Sequence, residues 1–198
     1  MAKMPKILSA SSGDIPEKIP PQNLCFTYLP GRKRELKGEY AGYWSMDDVA
    51  FYISNDCFAR IMNDAVFYGN KHLECLGLII GKFYEWKGRQ YSIGSGIVSS
   101  KIDSSQTHVR FDRNSLDDLC KNLGVLGDQL VVGWYHSHPG HGCFMSAIDV
   151  STQKRLFNSS LHSAIVVDPF INTIKVFGIQ NNICIEKGFT IYDILKTK

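Results

Sequence analysis

Residues 130–149 read LVVGWYHSHPGHGCFMSAID, and this stretch decides the architecture. Leu130–His138 is a continuous apolar run closed by Pro139, which cannot donate to a strand ladder, so it reads as a strand ending at the proline. His136 and His138 are two apart on that strand and leave it on the same face. Two imidazoles side by side on a rigid element can hold one divalent ion. Pro139, Gly140 and Gly142 then reverse the chain. Ser146-x-x-Asp149 has the form of a helix N-cap with an acid in the first turn, so a helix is expected over Ser146–Phe157. That helix start aims the Asp149 carboxylate back toward the end of the histidine strand. Two histidines and one carboxylate leave a fourth tetrahedral position open, as catalytic zinc sites do. Taken singly, each of these residues is more often structural; strand, breaker and helix in this order reverse that weighting. His72, His108, His141 and His162 have no such partners in sequence, and His141 reads as an exposed loop residue.

Upstream, Val49–Ile53 reads as a strand, and Ser54 or Asn55 can cap the helix that follows. In that helix Phe58, Ile61, Met62, Ala65 and Val66 recur with the spacing of one buried face, and Gly69-Asn70 ends it. Leu73–Gly81 and Gln90–Val98 read as two further strands. A polar stretch from Ser99 to His108 follows, then a helix from near Asp112 that buries Leu116, Leu119 and Leu123. Downstream, Ala164–Val167, Ile174–Ile179 and Ile183–Ile185 are short strands, with a turn at Asp168-Pro169. The alternation predicts an α/β domain over residues 48–198, a mixed central sheet flanked by helices. Residues 1–23, with Pro5, Pro16, Pro20 and Pro21, read as a flexible leader. Residues 24–47 form an N-terminal extension whose aromatic runs, Leu24–Leu29 and Tyr40–Trp44, predict an added hairpin.

The composition is that of a soluble domain: 44% hydrophobic and 21% charged in 198 residues. A formal charge of +3 is too small to argue for nucleic acid, and Arg32-Lys33-Arg34, followed at once by Glu35, reads as a solvated loop. No apolar stretch approaches the ~20 residues that span a bilayer, and the N-terminus has no signal-peptide core. Neither nucleic acid nor membrane is an expected partner. The six cysteines are scattered without a C-x-x-C pair, which argues against a thiolate zinc site and a disulfide framework and for a reducing, cytoplasmic setting.

His136-x-His138, seven residues, then Ser146-x-x-Asp149 resembles the signature of the JAMM/MPN+ zinc metallopeptidases. The wider run from Gly133 to Gln153 is similar to the deubiquitinase of the proteasome lid and to the deneddylase of the COP9 signalosome. The resemblance extends from about Val49 to about Ile179 and implies the MPN (JAMM) fold. It implies one Zn²⁺ per chain held by His136, His138 and Asp149. Glu74, in HLECLGLIIGK (72–82), is the implied general base that assists attack of zinc-bound water, and Ser146 the implied oxyanion donor. Glu74 also stands where a polar loop gives way to an apolar strand, an awkward place for a carboxylate without a task or partner; Glu85, on a charged turn, fits less well. The implied substrate is ubiquitin or a ubiquitin-like protein in conjugates, cut as an isopeptidase or deubiquitinase.

In related enzymes the segment matching Ser99–Val109 is an insertion that pairs with the ubiquitin tail, which makes Lys101, Ser104, Thr107 and Val109 candidate substrate contacts. An ordinary surface loop is the equally weighted alternative. Trp134 is a candidate tail-channel wall, with core packing nearly as strong a reading. A short link after Asp168-Pro169 and the stop at Lys198 depart from the lid and signalosome subunits, and lead us to expect a free-standing enzyme. Two alternatives stay open: a JAMM peptidase that processes a ubiquitin-like or sulfur-carrier precursor, and a metal-free MPN scaffold.

Overall fold

The computed structural model describes residues 49–86, 89–99 and 129–193, together with the backbone strand Cys25–Tyr28. The leader at 1–23, the Tyr40–Trp44 run, the Ser100–Val109 part of the polar segment and the helix expected from Asp112 lie outside the described residues.

Nine described strands form one sheet: β1 (Cys25–Tyr28), β2 (Val49–Ser54), β3 (Leu76–Trp86), β4 (Arg89–Ser99), β5 (Leu130–Ser137), β6 (Ser163–Asp168), β7 (Thr173–Gln180), β8 (Ile183–Glu186) and β9 (Gly188–Asp193). Their order is β1-β9-β2-β4-β3-β5-β6-β7-β8. β2 runs parallel to β4 and β9, and β5 parallel to β6, while the other pairs are antiparallel. The sheet is therefore mixed, as an α/β pattern requires. β9 has no counterpart in the sequence reading. Its residues alternate only briefly, and its place is set by pairing with β2, more than 130 residues earlier in the chain.

Two helices are described, α1 (Asn55–Gly69) and α2 (Ala147–Leu156), on opposite faces of the sheet. The Ser54 hydroxyl accepts the Cys57 N–H and caps α1, a contact worth about 1 kcal/mol. α1 buries Cys57, Phe58, Ile61 and Ala65 against Phe51, Ile79, Tyr135, Ile165, Val176 and other residues of one sheet face. Val66, expected on this buried stripe, is 44% exposed, because the stripe turns through Ala65 toward Gly69. The Tyr135 hydroxyl donates to Asp64 of α1 at 2.6 Å, which ties this helix to the centre of the sheet.

On the opposite face α2 covers a second cluster of Leu76, Leu78, Ile80, Trp134, Phe157 and Ala164. Alternation along β5 thus sends Tyr135 into the α1 layer and Trp134 and His136 toward the α2 layer. Because β5 and β6 are parallel, the chain must cross between their ends, and it does so through the 138–146 loop and α2. The candidate site sits at the start of that crossover.

Candidate metal centre

His136 lies near the C-terminal end of β5, and His138 just beyond it. Their rings are 4.7 Å apart between centroids, and both side chains are buried. Asp149 arrives from the first turn of α2. Ser146 is the N-cap: its hydroxyl accepts the Asp149 N–H at 3.2 Å, while the Asp149 carboxylate accepts the Ser146 N–H at 2.8 Å. This reciprocal capping box holds Oδ2 of Asp149 3.5 Å from His136 Nε2 and 3.9 Å from His138 Nε2. One ligand atom from each of the three residues falls within 4.8 Å of the other two.

The donor set suits a divalent metal. Both ring nitrogens of His136 are buried without a hydrogen-bond partner, an arrangement that costs stability unless something accepts their lone pair or proton. Burial pushes the Asp149 carboxyl up, but the His136 ring and the Ser146 hydroxyl and N–H pull it further down, to about 2. It is therefore a carboxylate at neutral pH. Burial, with the neighbouring His136, holds His138 below its ordinary value, so its ring is neutral and able to offer a lone pair. Two imidazoles and one carboxylate form a ligand set of the kind that catalytic zinc uses.

The other residues singled out in the sequence take distinct places. Ser137, between the two histidines, accepts the Cys75 N–H on its hydroxyl at 2.8 Å and donates its own N–H to the Cys75 carbonyl at 3.1 Å. Glu74, half-buried, directly precedes Cys75, so this double contact sets its backbone beside the strand end that carries His138. Ser146 is half-buried at the mouth of the helix. Trp134 is only 2% exposed and lies under the site, its ring stacked on His136 at 4.6 Å and its Nε1–H donated to Gln153 of α2. Its surface goes to packing. Lys101, Ser104, Thr107 and Val109 lie outside the described residues. His141 is exposed in the loop, while His162 is buried between Phe83 and Phe157.

Sequence reasoning missed Asp168, which is fully buried. Its carboxylate accepts N–H groups from Gly140 and Gly142 in the 138–146 loop, and from Phe170 and Ile171 in its own turn. The only signal in the sequence was Asp-Pro, which reads as a turn.

The family model for JAB1/Mov34/MPN/PAD-1 ubiquitin protease matches residues 49–159. Among curated proteins, ubiquitin carboxyl-terminal hydrolase RPN11 of Saccharomyces cerevisiae is 35% identical over 52% of this chain and 33% of its own length. The 26S proteasome regulatory subunit RPN11 of Eremothecium gossypii is 34% identical over 74% of this chain and 47% of its own. COP9 signalosome complex subunit 5 of Kluyveromyces lactis is 31% identical over 59% and 31%. The chain thus spans between about a third and a half of these relatives. The solution structure of protein DSY2949 from Desulfitobacterium hafniense, 20% identical, superposes with a TM-score of 0.51 over 74% of this chain and 95% of that one. That likeness concerns the fold alone.

Proposed function

This chain belongs to the JAB1/Mov34/MPN/PAD-1 ubiquitin protease family, and from that premise we propose that it is a zinc-dependent isopeptidase that releases ubiquitin or a ubiquitin-like protein from conjugates. The observation that carries the reading is the convergence of His136, His138 and Asp149, with both His136 nitrogens buried and without a hydrogen bond. These three residues would hold one Zn²⁺ per chain. A bound zinc ion supplies Lewis acidity, lowering the pKa of water toward roughly 7 and polarising a carbonyl.

The chain's own residues do the rest. Glu74 takes a proton from the attacking water and returns it to the departing lysine amine, a role worth about 10²–10⁴ in rate. The Ser146 hydroxyl accepts from Asp149 N–H but keeps its own proton. Through that proton it donates a hydrogen bond to the carbonyl oxygen as negative charge gathers there. Ser146 is thus both helix cap and oxyanion donor. Trp134 and Gln153 keep His136 in place from below. Four cysteines among the described residues carry free thiols, which suits the reducing cytoplasm proposed as its setting. Neither the proteasome lid nor the signalosome forms part of this reading.

The test is zinc analysis of the purified protein, together with incubation with ubiquitin conjugates and ubiquitin-like precursors, with and without a chelator. About one zinc per chain and chelator-sensitive release from conjugates are expected. Release from precursors alone would favour the processing peptidase. Zinc near zero and no cleavage would favour a scaffold, and the proposal would fail.

A further inference from the structure

A chain of contacts leads from the β6–β7 turn to the ring of His138. Asp168, the last residue of β6, divides its four acceptor contacts unevenly between its two oxygens. Oδ1 takes the N–H groups of Gly140 at 2.9 Å, Phe170 at 3.0 Å and Ile171 at 3.5 Å. Oδ2 takes Gly142 alone, at 2.7 Å. The Phe170 and Ile171 contacts are those of a local turn and would form without any site. The Gly140 and Gly142 contacts reach back 28 and 26 residues to the metal loop and serve no turn. Both glycines sit at φ +80°, a left-handed conformation in which an L side chain is strained, and both direct their N–H to this carboxylate.

Gly142 also faces the site. Its carbonyl lies 3.2 Å from Nδ1 of His138. A carbonyl only accepts, so Nδ1 carries the proton of the neutral ring, and Nε2, facing Asp149, keeps its lone pair. Burial pushes the Asp168 carboxyl up, but its four N–H donors outweigh burial and hold it below the usual range, so it is charged when it grips the loop.

We propose that Asp168 is a positioning residue for the metal site: by holding Gly142 it fixes the orientation and tautomer of His138. The proposal rests on the reading of His138 as a metal ligand. Asp168 is not one of the three clustered residues that would hold the metal. Groups of this kind, one step behind the ligands, commonly change metal affinity by about 10–100-fold when removed.

The division of labour between its oxygens supplies the test. In Asp168→Asn the amide oxygen can take the Oδ1 position with its three N–H partners, leaving the amide NH₂ to face the Gly142 N–H. Only the limb toward His138 is cut. Nitrogen-15 shifts of the His138 ring in metal-free protein, and zinc affinity by chelator competition, are compared in parent and variant. The parent is expected to show His138 as the pure Nδ1–H tautomer. The variant should show mixed tautomers and a zinc dissociation constant higher by roughly 10–100-fold. A pure Nδ1–H tautomer in the variant, or zinc affinity within about threefold of the parent, overturns the proposal. Loss of fold stability alone would move neither readout in a folded sample.

Should Asp168→Asn not fold, Gly142→Ala tests the same link from its other end. The space around an added Cβ there is open, so the strain comes from the positive φ and falls on the loop. Mixed His138 tautomers are again expected, and an unchanged tautomer overturns the proposal. A parent that binds no zinc would defeat the metal reading, while the tautomer comparison would still decide the role of Asp168.

Discussion

The indole of Trp134 lies flat under the imidazole of His136, with ring centroids 4.6 Å apart and planes inclined by 14°. The same indole stacks on Phe157 and donates to Gln153, whose amide in turn donates to the Phe157 carbonyl. His136 makes no hydrogen bond at either ring nitrogen and meets a charged group only at Nε2, 3.5 Å from the Asp149 carboxylate, so packing carries most of its orientation. A ring held by a hydrophobic stack depends on ring shape more than on polar contact.

That dependence separates two substitutions. Trp134→Leu removes the stack and leaves a cavity; it should cost on the order of 3 kcal/mol in stability and weaken zinc binding. Trp134→Phe keeps a ring under His136 but strands the Gln153 oxygen, a loss of about 1–3 kcal/mol, with zinc affinity near that of the parent. Urea unfolding and zinc competition on both variants check this. Equal zinc affinity in the two would show that the stack does not position His136.

Asp149 has two jobs that a single substitution can pull apart. Its carboxylate accepts the Ser146 N–H and also faces both histidines. In Asp149→Asn the amide oxygen can still accept the Ser146 N–H, so the helix start should survive. The lost charge at the N-terminus costs only about 0.3–1 kcal/mol. Zinc content is expected to fall well below one per chain while the thermal transition moves little. A variant that keeps full zinc would remove Asp149 from the ligand set.

The cluster was legible in the sequence because its two halves are local. Strand alternation puts His136 and His138 on one face, and a capping box aims Asp149, so each half follows from residues within a few positions of one another. Asp168 was not legible, since its partners Gly140 and Gly142 lie 28 and 26 residues away and a turn accounts for Asp-Pro just as well. The same limit hid β9, whose place depends on pairing with β2. Trp134 was ambiguous for another reason. An aromatic beside a site histidine can face substrate or the core, and its contact with Gln153 comes from α2, distant in sequence. Val66 fits the helical spacing, yet it is exposed because the buried stripe runs through Ala65 to Gly69.

His162 should set the acid limb of stability. Burial, then the nearby Lys187, holds its ring down at about 4, against an ordinary value of 6.5; the carbonyls of Phe157 and Val131 offset this only in part. Above pH 6.5 the ring is neutral in both folded and unfolded chains, and nothing is lost. As pH falls from 6.5 toward 4 the unfolded chain takes up a proton that the fold refuses. Stability should therefore decline through that window, by on the order of 3 kcal/mol from this group. Urea unfolding at a series of pH values, in the parent and in His162→Phe, isolates the contribution. Parallel curves for the two proteins across the window would rule it out.

Glu74 carries the sharpest division between binding and chemistry. It is not among the three clustered residues, and its backbone is fixed through Cys75, which Ser137 holds by two hydrogen bonds. In the function proposed above, Glu74 acts on water at the site without contributing to metal affinity. Glu74→Gln preserves size and polarity but cannot take up a proton. The variant should hold zinc at the parent's stoichiometry and melt close to the parent, while cleavage of a ubiquitin conjugate slows by about 10²–10⁴-fold. Zinc content, a melting curve and a single-turnover assay on one preparation supply the three readings. Cleavage at the parental rate would transfer the base to another group, while loss of zinc would make Glu74 a ligand.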